Sequence, residues 1–192
     1  MSGLGTKESW GALRDWLGDR IVRESVTAGQ PLVEIGPDDI LDVLEYLKEE
    51  LGFDYLTDIT CVDHLKNDAY EHDERFGVVY ILFSTERKEW IRLKALLGEE
   101  APEIASATAL WPSADWLERE VYDMFGITFT DHPDLTRILM PFDFDSHPLR
   151  KDYPLQGLGE RDRFEKVTPA FRPEEPDAPE GIYRDSPRKR RG

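Results

Sequence analysis

The fold of this 192-residue chain is constrained most by its first half, where the spacing of apolar residues changes between the helical and the strand period in a definite order. Apolar residues recur at helical spacing over residues 7–17 and 40–51, and Pro37 with two acidic residues opens the second stretch. Residues 21–26 and 31–35 are typical of two short strands joined by a turn. Three longer strand-like stretches follow, and they occupy residues 53–62, 76–83 and 89–96.

This order of elements predicts a two-layer α+β domain, with two helices on one face of a mostly antiparallel five-stranded sheet. Both sides of the stretch 76–83 are apolar, which predicts a central strand covered on both faces. Polar residues alternate with apolar ones over residues 89–96, so a half-exposed strand is expected there.

A third helix is predicted over residues 114–125, with Ser113 as its N-cap and Gly126 at its end. Beyond Gly126, prolines at positions 133, 141, 148 and 154 exclude long helices and central strands. We therefore divide the chain into an α+β domain over residues 1–125 and an extended, proline-rich segment over residues 126–192.

Charge and hydropathy narrow the classes of partner. A net charge of −16 argues against binding to nucleic acid and against direct docking to an anionic lipid surface. No apolar run approaches the roughly 20 residues of a membrane-spanning helix, and no signal peptide is visible. We expect a cytoplasmic chain that meets a membrane only through partner proteins.

Cys61 is the only cysteine, so this sequence can form no internal disulfide. An iron–sulfur cluster needs four thiolates, or two thiolates with two histidines, and the chain cannot supply either set. The apolar neighbours of Cys61 predict a buried structural thiol. The sequence also lacks a phosphate-binding glycine loop and any evident nucleophile–base pair.

Carboxylates and two histidines between residues 131 and 147 suggest a metal site, but their spacing fits neither a helical zinc motif nor a calcium loop. The residues concerned are Asp131, His132, Asp134, Asp143, Asp145 and His147. Because Pro133 and Pro148 follow the two histidines, we favour two turns whose imidazoles bond nearby backbone. A stand-alone metal-dependent hydrolase that uses this cluster is kept as an alternative.

Two further groups of charged residues are candidates for contacts. Arg119 and Asp123 lie four residues apart on the third helix and can pair, and Glu118 and Tyr122 have the same spacing. These residues either form a solvated face or lie at a subunit boundary. Arginine, lysine, aspartate and tyrosine also lie together in residues 150–154. That composition suits a desolvated protein–protein contact.

Residues 118–157 resemble the signature of the 30-kilodalton subunit family of respiratory complex I, whose members are the C subunits of bacterial NADH:quinone oxidoreductases. The resemblance is carried by Glu118, Arg119, Glu120, Tyr122, Asp123, Phe125, Gly126, His132, Pro133, Arg137, His147, Pro148, Arg150, Lys151, Asp152, Tyr153 and Pro154. The sequence departs from the family pattern at Thr136, where a second basic residue is common, and at Ser146, where glycine is common. We therefore expect no positive φ at Ser146.

The resemblance implies a peripheral subunit of a proton-translocating NADH:quinone oxidoreductase, with no catalytic residue, cofactor or metal in this chain. Electrons from NADH would pass through FMN and iron–sulfur centres of partner subunits to a quinone. The signature residues would form an interface, and residues 126–192 would wrap the partners. These would be the 49-kilodalton-like subunit, the small iron–sulfur subunit of the quinone site and other subunits of the hydrophilic arm.

The same resemblance places the complex on the cytoplasmic face of the plasma membrane. Related subunits occur in ferredoxin- or F420-linked dehydrogenases and in energy-converting hydrogenases, so an equivalent subunit of such an enzyme is the nearer alternative.

Overall fold

A computed structural model of the chain describes residues 6–27, 29–67 and 73–159. The elements up to the last long strand are α1 (Thr6–Leu17), β1 (Ile21–Thr27), β2 (Gln30–Ile35), α2 (Ile40–Glu49), β3 (Tyr55–Asp63), β4 (Phe76–Ser84) and β5 (Glu89–Leu97). The elements after it are β6 (Glu103–Ala105), α3 (Ala114–Phe125) and β7 (Thr128–Thr130). Single 3-10 turns at Gly18–Arg20 and Pro37–Asp39 lead into β1 and α2.

The five long strands form one sheet in the order β1-β2-β5-β4-β3. Three of the neighbouring pairs are antiparallel, whereas β2 and β5 run parallel, with Leu32 opposite Arg92 and Ile35 opposite Ala95. The predicted α+β class and mostly antiparallel sheet are confirmed.

One face of the sheet carries the core. Side chains of the three central strands that point to this face are almost completely buried, among them Ile35, Tyr80, Leu82 and Leu93. The apolar sides of α1 and α2 close the core from above, because apolar residues recur there every three to four positions. The rings of Trp16 and Tyr46 stack with their centroids 4.2 Å apart and join the two helices.

The opposite face corrects the prediction for β4. Val79, Ile81 and Phe83 are only half-buried, so this strand is not covered on both faces. Large side chains of neighbouring strands shield one another instead, as in the contact of Phe83 with Trp90, whose ring centroids are 4.6 Å apart. An apolar side chain on a sheet can thus lose part of its exposed surface to its cross-strand neighbour without a second layer.

Lys94 corrects the prediction that the polar side of β5 is exposed. Its ammonium lies 3.1 Å from Glu34 Oε1, and both side chains are buried. The aliphatic stem lies against Gly77, where an added Cβ would collide with it. The pairing of β2 with β5 places these two charges together, and burial of a charge requires such a partner.

Residues 126–158 belong to the same compact unit as the residues before them. The predicted lack of long helices and strands is confirmed there, but the short strand β7 was not predicted, nor was β6, with which it pairs in parallel. A strand of three residues is too short to show a period. The proposed division at residue 125 stays a prediction. Residues 160–192 lie outside the described residues, as do Ala28 and His72.

Within the described residues, no helix is both long enough and apolar enough to cross a membrane. The bounds predicted for α3 are confirmed, and Gly126 ends the helix in the left-handed conformation with φ +71°. Ser113 stands at the N-cap position, but its side chain makes no capping hydrogen bond.

Candidate functional site

The C-terminal end of helix α3 is capped by the signature residues that follow it. Carbonyl groups in the last turn of a helix have no partner within the helix and must find one elsewhere. Here the Met124 carbonyl accepts from the Leu149 N–H at 3.1 Å, and the Phe125 carbonyl accepts from Arg150 Nε at 2.6 Å. The Asp123 carbonyl lies 3.1 Å from His147 Nδ1. Residues 147–150 therefore complete the helix.

Asp123 is the centre of the site. Its Oδ2 accepts hydrogen bonds from the consecutive N–H groups of Ile138, Leu139 and Met140 at 3.1, 2.7 and 2.9 Å. Its Oδ1 lies 2.7 Å from Arg137 NH1. Burial opposes the charge, but the backbone donors and the guanidinium outweigh it and hold the pKa of Asp123 below its usual range. One carboxylate thus fixes the course of the chain after α3.

Gly126 is required at this point for two reasons. Its φ of +71° lies in the left-handed region, which side chains with a Cβ adopt only with strain. A Cβ at this position would also lie 2.5 Å from His147 Nε2 and 2.7 Å from Arg150 NH2. The glycine allows both side chains to lie over the end of the helix.

His147 is held in one tautomer. Its Nδ1 faces the Asp123 carbonyl, so this nitrogen carries the proton in the neutral ring. Burial, supported by the nearby guanidinium groups of Arg150 and Arg137, lowers the pKa of His147. Ser146, which precedes it, is not among the residues with positive φ, as predicted.

A second centre ties the end of the signature to the sheet. Arg75 contacts Asp63 at 2.9 Å, Glu99 at 2.7 Å and Asp152 at 2.8 Å. Asp63 Oδ2 also accepts from the Lys151 N–H at 2.8 Å. The pKa of Asp63 is lowered because these donors outweigh its burial, and hydrogen bonding to Asp63 contributes most to the raised pKa of Arg75. Sequence reasoning missed Asp63 and Arg75, whose partners are distant in the chain.

Glu118 does not lie on a solvated charged face, which corrects that alternative for this residue. It is fully buried, and its two oxygens bond the Ser106 hydroxyl and the Ala107 N–H, each at 2.6 Å. Burial raises its pKa to about 7. His132 Nε2 lies 3.9 Å from Glu118 Oε2. This carboxyl therefore binds a proton more readily than an exposed glutamate does.

Arg119 does not pair with Asp123, so the predicted helical ion pair is wrong. Its Nε lies 3.0 Å from the Thr136 carbonyl, and its NH2 lies 2.7 Å from Thr136 Oγ1. Asp123 is committed to Arg137 instead. The departure from the family pattern at Thr136 thus provides a hydroxyl that accepts a hydrogen bond from Arg119.

The histidines of the suggested metal cluster contact backbone groups, as predicted. His132 Nδ1 accepts from the Asp134 N–H at 3.0 Å, so its Nε2 carries the proton and donates to the Asp115 carbonyl at 3.2 Å. Within residues 6–27, 29–67 and 73–159, no three His, Cys, Asp or Glu side chains are grouped as metal ligands would be. The imidazoles of His132 and His147 are thus each directed at a backbone carbonyl.

Most of the predicted interface residues contribute to the fold of the chain itself. Those that are buried are Glu118, Asp123 and Phe125. Those that are half-buried are Arg119, Tyr122, Gly126, His132, Arg137, His147, Pro148, Arg150 and Tyr153. Those that are exposed are Glu120, Pro133, Lys151, Asp152 and Pro154. Cys61 is buried, as predicted, and its burial, followed by the charge of Asp63, raises the pKa of its thiol to about 12.

Comparison with known proteins gives the family. The family model described as "Respiratory-chain NADH dehydrogenase, 30 Kd subunit" matches residues 33–158, which include most of the sheet, α3 and the segment after it. The chain therefore belongs to the 30-kilodalton subunit family of respiratory complex I.

Its relatives include C subunits of NADH-quinone oxidoreductase. The protein of Citrifermentans bemidjiense is 54% identical over 129 residues, which cover 67% of this chain and 77% of that protein. The protein of Moorella thermoacetica is 45% identical over 141 residues, which cover 73% of this chain and 90% of that protein.

Two solved structures are also similar. A trypsin-resistant fragment (1–134) of Nqo5 matches with a TM-score of 0.55 and 34% identity, over 59% of this chain and 89% of that chain. A chain of the membrane-bound sulfane sulfur reductase, an archaeal respiratory membrane complex, matches with a TM-score of 0.63 over 91% of this chain and 96% of that chain. At 20% identity the second match shows the fold alone.

Proposed function

We propose that this chain is a peripheral, non-catalytic assembly subunit of a proton-translocating NADH:quinone oxidoreductase. Electrons pass from NADH through FMN and iron–sulfur centres of partner subunits to a quinone, and this chain supports the module that holds the quinone site. The observation that carries the proposal is the family match over residues 33–158, which joins the sheet and the signature segment in one unit.

The geometry supports a scaffold role. The signature side chains are bonded to backbone groups of the same chain, as with Asp123 on residues 138–140 and Arg150 on Phe125. These bonds fix the shape of the segment, and a surface that is ordered before binding loses less entropy when a partner docks. We propose the 49-kilodalton-like subunit and the small iron–sulfur subunit of the quinone site as neighbours. Attachment to the cytoplasmic face of the membrane would occur through them.

Affinity purification of the tagged chain from mildly solubilised host membranes, with mass spectrometry, tests the proposal. We expect flavin, iron–sulfur and quinone-site subunits to co-purify. The electron-input subunits in the same sample distinguish an NADH-linked enzyme from a ferredoxin- or F420-linked one. Recovery of the chain alone, from membranes in which the oxidoreductase is intact, would contradict the assembly role.

A further inference from the structure

Phe142 is 96% exposed although it stands in a hydrogen-bonded turn of the segment. The Phe144 N–H donates to the Pro141 carbonyl at 3.0 Å and closes a tight turn with Phe142 and Asp143 at its corner. Phe144, two residues later, points inward and is buried. The turn therefore directs one aromatic ring into the protein and the other into solvent.

Both sides of this turn are fixed. Before it, the Met140 N–H is bonded to the buried Asp123 carboxylate at 2.9 Å. After it, the Phe144 ring lies near the Arg137 guanidinium, 5.9 Å from the ring centroid, and near the Tyr153 ring, whose centroid is 6.1 Å away. Arg137 also donates to the Ser146 carbonyl at 3.2 Å. The position of Phe142 is thus set by the Asp123 and Arg137 contacts described above.

An exposed phenylalanine on a fixed turn has the properties of a binding anchor. Interfaces concentrate their binding energy in a few buried aromatic side chains. An anchor that is already positioned also loses little entropy on binding. Single exposed apolar residues are common and need no explanation, but a nearly fully exposed ring on a turn that the core carboxylate holds is a different case.

The charges around the turn define the partner. Asp143 and Asp145 are exposed beside Phe142. The nearby cation Arg137 is already paired with Asp123 at 2.7 Å. The Phe142 ring thus stands beside two exposed carboxylates of a chain whose net charge is −16, which favours a positively charged partner surface.

We propose that Phe142 is the anchor by which this chain binds a protein partner, and that the partner presents an apolar pocket within a positively charged surface. This inference rests on the proposed assembly function and adds to it the contact residue and the chemistry of the partner. A lipid surface is disfavoured because anionic headgroups would repel the carboxylates that flank the ring.

The test is carried out with the tagged full-length chain in a host that lacks its own copy. Phe142→Ala should lower the amount of oxidoreductase subunits recovered per tagged chain at least about tenfold, as expected for truncation of an anchor residue. Phe142→Leu should restore part of this loss. Replacing both Asp143 and Asp145 by Asn should weaken recovery and make it less sensitive to salt. The thermal midpoint of the purified Phe142→Ala chain should equal that of the wild type, because the ring is exposed.

Trp116→Ala is the matched control. Trp116 is also an exposed aromatic residue, with 63% of its surface exposed on helix α3, and its loss should not change recovery. If Trp116→Ala lowers recovery as much as Phe142→Ala, the anchor is not specific and the inference is overturned. The same holds if Phe142→Ala lowers the thermal midpoint in parallel with recovery.

The remaining outcomes separate this inference from the proposed function. If the wild-type chain recovers no oxidoreductase subunits, the proposed function fails. If the wild type recovers them and Phe142→Ala recovers as many, the anchor is overturned and the function stands. Self-association of the free chain that Phe142→Ala abolishes would identify a second copy as the occupant. Binding of the wild type to anionic phospholipid vesicles that Phe142→Ala abolishes would identify a lipid surface as the occupant. Either result would overturn the inference that the partner is a positively charged protein.

Discussion

The sheet and the segment after helix α3 belong to one compact unit but are stabilised in opposite ways. The sheet depends on apolar side chains, such as Leu93, that lose contact with water without requiring a particular direction of approach. The segment depends on directed hydrogen bonds that the backbone N–H groups of residues 138–140 and of Lys151 donate to the Asp123 and Asp63 carboxylates. A proline-rich stretch can therefore keep a fixed conformation without the regular hydrogen bonds of a helix or sheet, provided that buried carboxylates accept hydrogen bonds from its N–H groups.

This difference predicts different responses to substitution. Removing one apolar side chain leaves a cavity, and the neighbouring contacts remain. Removing a carboxylate that serves several donors deprives all of those donors of their acceptor at once.

Asp123→Ala should give the largest effect. We expect a loss of about 3–5 kcal/mol in the free energy of unfolding, because Arg137 loses its charged partner and three backbone donors lose their acceptor. Urea denaturation of the purified chain measures this loss. Amide hydrogen exchange should speed up first at residues 138–140.

Asp143→Ala is the control for that prediction, because Asp143 is exposed. Its effect should stay within about 0.5 kcal/mol. Leu93→Ala provides the contrast, with a loss of about 2–5 kcal/mol and faster exchange throughout the sheet rather than in the segment. If Asp123→Ala and Leu93→Ala gave the same exchange pattern, the distinction between the two regions would fail.

Glu118→Gln tests the carboxyl at the boundary between the regions. The folded-state pKa of about 7 is above the ordinary value of 4.5, so the folded chain binds more protons than the unfolded chain between these values. The free energy of unfolding should therefore fall as pH rises from about 4.5 to 7, and the Gln variant should lack that part of the fall, on the order of 2–3 kcal/mol.

Urea denaturation across this pH range, with the wild type and the variant compared at each pH, measures the difference. Parallel curves for the two proteins would mean that Glu118 does not titrate in this range.

Gly126→Ala should have a smaller effect, about 1–3 kcal/mol, from the left-handed backbone and from displacement of His147 and Arg150. Gly18→Ala is the matched control, because Gly18 has φ +54° but no neighbouring atom within 4 Å of an added Cβ. The difference between the two losses, measured by thermal unfolding, isolates the collision at the end of α3. Equal losses would show that only the backbone conformation matters there.

Arg119→Ala should have the smallest effect, less than about 1 kcal/mol, because both of its hydrogen bonds to Thr136 are exposed to solvent. Thr136→Ser keeps the hydroxyl and should leave the free energy of unfolding unchanged, as chemical denaturation can show. A loss as large as that of Asp123→Ala would place Arg119 in the buried network.

The helices and long strands could be predicted from the sequence because each of them extends over six or more residues. The strands β6 and β7 could not, because three residues show no period. The burial of Lys94 also escaped prediction, because it depends on Glu34, which lies 60 residues away. Cross-strand shielding of Phe83 by Trp90 depends in the same way on register, which the periodicity of one strand does not contain.

The expectation that the signature residues form an interface stays a prediction, whereas the contact expected within the third helix was wrong. Arg119 and Asp123 are close in sequence and were expected to pair, yet each bonds a residue from the following segment. Asp63 reaches Lys151 across 88 residues. Local spacing indicates which side chains can meet on a helix. It cannot show which distant carboxylate accepts hydrogen bonds from a proline-rich segment.

The parallel pairing of β2 with β5 has a consequence for biosynthesis. Leu32 and Arg92 are neighbours in the sheet, but the ribosome adds the second about 3–12 s after the first at ordinary rates of translation. During that interval the hairpin β1–β2 has an unpaired edge. The Glu34 carboxylate is solvated, because its partner Lys94 has not yet been added. The centre of the sheet therefore closes late, and a nascent chain that stalls before Arg92 exposes a strand edge to which other chains can add.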